Sequence, residues 1–361
     1  MSVRRTFPGF VDVHGHVRDP GVPEAETTAS GLAAAARGGF AAVVTMPNTE
    51  PPVDSPESVR GHVSAAGGVR LLSSGCITRG RRGLEVADLE AMADAGAAFF
   101  TDDGAYVADD RVMAAAMARI ADLNMVACQH AMDPRIQAGG VIRDCALARR
   151  LGLPVIPPEA ETAAIRRDLA LCRETGCRLH VQHLSTAGGV ELVRGAQREG
   201  LPVTAEATPH HLLLCCDELA ADDANFKMAP PLGNREDRAE LRRGVKDGVL
   251  MFATDHAPHP AAKKASGFRG GANGIIGLET AIAVTYAVMV EEEGMDVERW
   301  AAAWWDLPRR IVRADLSGLG GTAVEIGGVR AVDVGGFASR SRNCPYGGME
   351  FRCWPAPRPC A

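Results

Sequence analysis

The sequence predicts an α/β protein: a (β/α)8 TIM barrel followed by a small C-terminal β appendage. Three observations carry this. Eight short apolar runs rich in β-formers occur at 10–13, 40–46, 69–74, 97–101, 124–129, 178–182, 201–205 and 249–254, and alanine-rich helical stretches separate them. Eight parallel strands is the number that closes a barrel. Histidines and aspartates gather where these runs end, on the face where such barrels collect their chemistry. An open doubly wound sheet is the alternative, but no Gly-x-Gly-x-x-Gly turn follows an early run.

The first run, Phe10-Val11-Asp12-Val13, leads directly into His14-Gly15-His16. Side chains at i and i+2 share one face of a strand, and paired imidazoles there suggest a metal site. A helix is expected over 24–37, before the second run, and another over 84–95, after the third. The fourth run opens into Asp102-Asp103-Gly104, and the fifth, after a helix over 110–123, ends at His130. The connection over 133–158 is long enough to hold an extra helix near 145–151. The sixth run ends at His183 and is followed by a helix over 187–198. The seventh precedes His210 and His211, and a helix over 235–246 leads to the eighth, which ends at Asp255-His256. From Gly318 the texture turns to glycine, proline and short β-like pieces at 322–326 and 329–334, which divides the chain into a barrel (1–317) and an appendage (318–361). An isolated sheet of two or three strands is marginal in water, so Val324, Ile326, Val332, Val334 and Phe337 are expected to bury against the barrel or a partner subunit.

Composition narrows the function. Of 361 residues 46% are hydrophobic, enough for a large core, yet no run approaches the ~20 apolar residues of a membrane span. The first ten residues lack the apolar segment of a signal peptide. A net charge of −6 without a dense basic patch argues against nucleic acid as a partner. The ten cysteines have no zinc-ribbon spacing and read as buried free thiols of a cytoplasmic protein. Lysine occurs only at 227, 246, 263 and 264.

His14, His16, His130, His183, Asp255 and one of the pair Asp102/Asp103 thus converge on one barrel face. Four imidazoles and two carboxylates suffice for two divalent ions sharing a carboxylate, a centre able to activate water and polarise a carbonyl. His62 and His180 read as structural, and His210 and His211 as either structural or supporting the site.

The motifs are specific in combination. They are Asp12-Val13-His14-Gly15-His16-Val17-Arg18-Asp19-Pro20-Gly21, Met46-Pro47-Asn48-Thr49, Phe100-Thr101-Asp102-Asp103-Gly104, His183-Leu184-Ser185-Thr186 and Glu206-Ala207-Thr208-Pro209-His210-His211-Leu212. Pro230-Pro231-Leu232-Gly233, Thr254-Asp255-His256-Ala257-Pro258-His259 and Gly274-Ile275-Ile276-Gly277-Leu278-Glu279-Thr280 complete them. With these the chain resembles the dihydroorotases of the cyclic amidohydrolase superfamily, in their aspartate-bridged bacterial branch, from about residue 7 to 350. The resemblance implies reversible hydrolysis of L-dihydroorotate to N-carbamoyl-L-aspartate in pyrimidine biosynthesis. A hydroxide bridging two divalent ions, zinc by preference, would attack the ring carbonyl, with Asp255 as general base and then acid. His14, His16 and Asp255 would hold one ion, and His130 and His183 the other. Asp103 would bridge them where many relatives use a carboxylated lysine. His16, Arg18, Asn48, His259 and Gly274 would contact the substrate.

Ala229, Gly233 and Asn273 depart from residues common in that branch, and the family's N-terminal β segment is expected to be missing. Two other readings follow from the resemblance: a hydantoinase- or allantoinase-like enzyme, disfavoured by Arg18, and an inactive scaffold for aspartate carbamoyltransferase. A homo-oligomer and a complex with that transferase are both compatible with activity.

Overall fold

The computed structural model describes residues 4–316, 319 and 323–357. Strands are numbered along the chain: β1 Arg5–Pro8, β2 Phe10–Gly15, β3 Phe40–Thr45, β4 Ser64–Ala66, β5 Val69–Ser73, β6 Val126–Gln129, β7 Arg178–Val181, β8 Val203–Ala207, β9 Met251–Phe252, β10 Ala323–Ala331 and β11 Glu350–Pro357. Two sheets, ordered β2-β3-β5-β4 and β6-β7-β8-β9, form the barrel wall; its strands run parallel, and β4 lies antiparallel outside β5. Phe100 joins the two sheets by bridging Gly75 and Ala127, and His256 closes the ring by bridging Gly15.

The fourth run therefore occupies a strand position without forming a regular strand. Ala98, Phe100 and Thr101 donate to Ser73, Val126 and Gly75, but the chain then turns at once, with the Thr101 hydroxyl accepting from the Asp103 amide. The helix expected over 84–95 shortens to Leu89–Asp94 because Val86 pairs with Thr78 and Asp88 caps the helix behind it. The extra helix of the long connection forms at Ala146–Leu151. Helices Glu159–Thr175 and Val297–Arg309 belong to the outer layer and were not singled out from the sequence.

Strand alternation sorts the core. On β2, Val11 and Val13 join an apolar cluster with Val44, Met46, Leu72 and Phe99, whereas Phe10 belongs to the larger cluster shared with the helices. Trp300 meets Phe7 and Phe10 edge-on, and Trp304 meets Phe40 edge-on and stacks on Phe252. Both indole N–H groups donate to the Thr285 hydroxyl, at 3.2 and 3.0 Å, so this aromatic layer leaves no indole donor unpaired.

The small sheet has the order β1-β10-β11, all antiparallel. One strand of it comes from Arg5–Pro8, ahead of the residues read as the first strand in the sequence, and β10 joins the pieces expected at 322–326 and 329–334 into one strand that ends at Ala331, with Val334 in a 3-10 turn instead; residue 322 lies outside the described residues. Val324, Ile326 and Val332 are buried as expected, while Val334 and Phe337 are half-buried against the same core. The boundary at Gly318 and the cysteine at 360 lie outside the described residues. Between β10 and β11 the chain returns to the loops that follow β2 and β9: the Ser339 hydroxyl donates to Glu26 and that of Ser341 to the Ala25 carbonyl, while the Asn343 side chain donates to Ala257.

Candidate metal centre and active site

His14 and His16 project from the end of β2, and their outer partners fix which ring nitrogen faces the centre. His14 Nδ1 lies 2.5 Å from Glu206 Oε1 on β8, and Glu206 is held in turn by His180 Nε2 at 2.9 Å. His16 Nδ1 donates to Asn48 Oδ1 at 2.9 Å. Each ring therefore spends its Nδ1 proton behind the site and turns Nε2 inward, the tautomer a metal ligand needs.

Asp103 sits at the middle. Its Oδ1 is 3.3 Å from His14 Nε2, 3.4 Å from His183 Nε2 and 3.6 Å from His130 Nδ1, and its Oδ2 is 3.5 Å from His16 Nε2. Asp255 Oδ1 completes the ring at 3.1 Å from His16 Nε2 and 3.6 Å from His14 Nε2. Asp102 points elsewhere: its carboxylate accepts from the Ile77 and Thr78 amides and the Thr78 hydroxyl. The adjacent aspartates thus divide into one that anchors the loop after β5 and one that faces the histidines. His183 and Asp255 adopt φ of +33° and +46°, a strained conformation for residues with a Cβ, held here to aim the side chains inward.

The donor set fits divalent metal. His14, His16 and Asp103 form one group, and Asp103, His130 and His183 a second, each with donor atoms within 4.8 Å of one another and every residue buried. His14 Nε2 and Asp103 Oδ1 are buried with no hydrogen-bond partner, an arrangement that costs free energy in the absence of an ion between them. Imidazole nitrogen with carboxylate oxygen suits zinc-like ions.

The electrostatics are those of densely coupled charges. Burial disfavours the charged form of His14, but the Asp103 and Glu206 carboxylates outweigh it and raise its pKa well above the ordinary value. Burial likewise opposes ionisation of Asp255, yet the hydrogen bond from His16 and the charges of His14 and His183 hold it well below the usual carboxylate range. Glu206 follows the same pattern and falls to about 2 under the influence of His14 and His180. His16 moves down through burial and the nearby Arg18 cation.

Beside the centre lies a cavity of about 240 Å³ lined by Arg18, Asn48, Ala229, His259, Asn273 and Gly274 together with the inward histidines and aspartates. Asn48 Oδ1 accepts from His16 and also from Arg18 Nη1 at 3.3 Å, so one amide links the guanidinium to a proposed metal ligand. Arg18 also reaches the Pro258 carbonyl at 3.5 Å and forms no ion pair among the described residues. His259 donates through Nε2 to the Asn273 carbonyl at 2.7 Å, and burial followed by the Arg18 charge keeps its ring neutral by lowering its pKa to about 3. Gly274 lines the pocket, but its amide donates to the Lys227 carbonyl at 2.9 Å; at φ +143° an added Cβ would lie 2.7 Å from Ala257. Its contribution is a bare surface rather than a free donor.

All ten site residues read from the sequence therefore surround one cavity, His14 from behind. His62 donates to the Ser58 carbonyl and His211 lies between Thr208 and the Pro230 carbonyl, both structural, while His210 is paired with Tyr346. His180, read as structural, instead supports the centre through Glu206. At Gly233 an added Cβ would stand 2.5 Å from Asp237 and 2.6 Å from the Ser185 carbonyl, so this backbone has no room for the larger residue common in the branch.

Comparison with known proteins decides the family. The Dihydro-orotase-like family model matches residues 4–188. Dihydroorotase of Thermus aquaticus is 42% identical over 363 residues, covering 96% of this chain and 85% of the relative, and that of Bacillus caldolyticus is 40% identical, covering 98% and 85%. The chain belongs to the dihydroorotase family. Its structure is similar to that of L-hydantoinase (dihydropyrimidinase) from Arthrobacter aurescens, with TM-score 0.81 at 25% identity over 98% of this chain and 83% of the other. The dihydroorotase of Saccharomyces cerevisiae shares the fold with TM-score 0.78 at 18% identity, covering 99% of both chains. The protein is a cyclic amidohydrolase of this family, built on the TIM barrel that its members share. Among the described residues no helix is long and apolar enough to cross a membrane.

Proposed function

We propose that the protein is a dihydroorotase that opens and closes the ring joining L-dihydroorotate and N-carbamoyl-L-aspartate, with His14, His16, Asp103, His130, His183 and Asp255 holding two divalent ions. When bound, such ions lower the pKa of water and polarise a carbonyl, and zinc suits this donor set. Arg18 binds the substrate carboxylate. Its guanidinium is recessed in the cavity, where enclosure lowers its pKa to about 10 against the more distant charges of Asp255 and Asp103, and among the described residues it makes no ion pair, so a ligand anion satisfies it best. That unpaired cation is the observation that carries the reading. Asn48 sets the distance between the carboxylate subsite and the reacting centre, and neutral His259 adds a hydrogen-bonding edge.

In ring opening the oxygen of water joins the amide carbonyl carbon and the bond from that carbon to the ring nitrogen breaks. Asp255, kept ionised by its histidine neighbours, accepts the proton from water and delivers it to the departing nitrogen. Closure runs the same steps backwards. The relatives named dihydroorotase, and the yeast protein captured with 5-fluoroorotic acid, support a substrate of this class.

The hydantoinase-like reading draws on the Arthrobacter structure and on Ala229, which offers the cavity no polar side chain. It leaves Arg18 without an anion. The scaffold reading is disfavoured by the convergence of His14, His16, Asp103, His130 and His183, with Asp255 beside His16, on one centre. The nine described cysteines are free and buried, which supports a reducing, cytoplasmic setting. Association with further copies or with aspartate carbamoyltransferase belongs to the same proposal and is read out by gel filtration of the mixture. The deciding assay follows ring opening and closure by zinc-loaded protein: turnover well above a chelator-treated blank is expected, and none above it overturns the reading.

A further inference from the structure

Two of the chain's four lysines, Lys227 and Lys264, are buried side by side behind the cavity wall, and among the described residues neither makes an ion pair. A buried ammonium without a carboxylate is costly unless its donors are satisfied. Lys264 is satisfied entirely by backbone. Its Nζ donates to the carbonyls of Gly274 at 2.7 Å, Ala272 at 2.8 Å and Lys227 at 3.1 Å, which uses all three of its protons. These carbonyls come from two separate stretches: the loop approaching Gly274, and residue 227, which also accepts from the Gly274 amide. The Gly274 carbonyl receives a second donor, Asn343 Nδ2, at 3.0 Å, and the same amide group of Asn343 accepts from the His259 backbone at 3.1 Å.

We propose that Lys264 is a positioning residue for substrate recognition, clamping the backbone of 272–274 to that of 227 so that His259, Asn273 and Gly274 form a fixed cavity wall. The proposal rests on the dihydroorotase reading and extends it to a residue that touches neither substrate nor metal. Three donors are needed for three carbonyls, and a neutral amine supplies only two. Burial, then the charge of Lys227, brings the Lys264 pKa down to about 7, against the opposing pull of Asp223. The other groups that feel its charge, His259 and His210, are held neutral by burial, with pKa values of about 3 and 4. The clamp therefore loses a bond as pH rises through about 7, and the wall loosens.

The test compares zinc-loaded wild-type, Lys264→Met and Lys264→Arg proteins with L-dihydroorotate as the probe. Lys264→Met is expected to raise KM roughly tenfold with kcat within about twofold and metal content unchanged, because substrate binding is weakened and the reacting centre is left intact. Lys264→Arg, which keeps charge and several donors, recovers part of the lost KM. In the wild type KM rises above about pH 7, and in Lys264→Arg that rise is absent because guanidinium does not deprotonate there. The wild-type and arginine profiles suffice should the methionine variant not fold. An unchanged KM in folded Lys264→Met, a loss of kcat together with metal, or identical KM profiles for wild type and Lys264→Arg overturns the proposal. Absence of turnover by the wild type overturns the reading beneath it, a result distinct from turnover that is indifferent to Lys264.

Discussion

His14 Nδ1 lies 2.5 Å from Glu206 Oε1, a contact between the ends of β2 and β8 that orients a proposed metal ligand from outside the centre. Replacing Glu206 by Gln keeps the size of the group and removes its charge. Metal affinity is expected to fall by roughly ten- to a hundredfold, the usual cost of losing such a partner, and competition with a chromogenic chelator measures it.

Protons and metal compete for the same histidines. Because Asp103 and Glu206 outweigh burial and raise His14 well above its ordinary value, the metal-free protein carries a proton there near neutrality, and an entering ion must displace it. Affinity should rise as pH rises toward the raised His14 value, by about tenfold per unit for each proton released. A pH-independent zinc titration contradicts this.

Asp255→Asn removes the proton acceptor and leaves its volume unchanged. The expected loss in kcat is roughly 10²–10⁴-fold. Metal analysis of the same sample separates that effect from loss of a ligand, since His14, His16 and Asp103 remain grouped without Asp255.

Arg18→Met separates the two enzyme readings. A substrate carboxylate deprived of a recessed guanidinium loses roughly a hundredfold or more in kcat/KM. An uncharged hydantoin has no carboxylate to lose a partner, and its turnover should be nearly indifferent to the change.

Phe7 on β1 packs at 6.0 Å from Phe10 and 5.9 Å from Trp300, and so ties the small sheet to the barrel. Phe7→Ala is expected to cost about 3–5 kcal/mol, read by thermal or urea unfolding, while the folded fraction keeps its kcat. Limited proteolysis of the wild type should spare 323–357, because Val324, Ile326 and Tyr346 are buried in the common core.

The parts that were legible in the sequence have short-range signatures. Apolar runs that end in His14, His130, His183 and Asp255 announce both strands and the candidate site, because a parallel barrel delivers every strand end to one face. Between Asp102 and Asp103 the sequence alone left the choice open and the resemblance pointed to Asp103; the structure supplies a physical reason, that Asp102 is spent on the Ile77 and Thr78 amides. The supporting residues were harder to read. Glu206 stood in a quoted motif, and an acid at the end of a strand buried on both faces was a usable signal. His180 had none, since its role exists only through Glu206. Lys264 and Asn343 act on backbone atoms far away in sequence, which no local pattern encodes. The Arg5–Pro8 strand was missed because its pairing with β10 spans nearly the whole chain.

The central carboxylate of this site belongs to an aspartate, and the four lysines of the chain are at positions 227, 246, 263 and 264, outside the cluster formed by Asp103 and its histidines. A lysine in that position becomes a bridging acid only after capturing carbon dioxide, so its centre depends on bicarbonate and decays when the carbamate is lost in acid. Asp103 needs no such step. With Asp103 as the proposed bridge, assembly would draw only on residues installed by translation and on the ion itself, and protein refolded with zinc in buffer purged of carbon dioxide should recover the same activity as protein refolded in air.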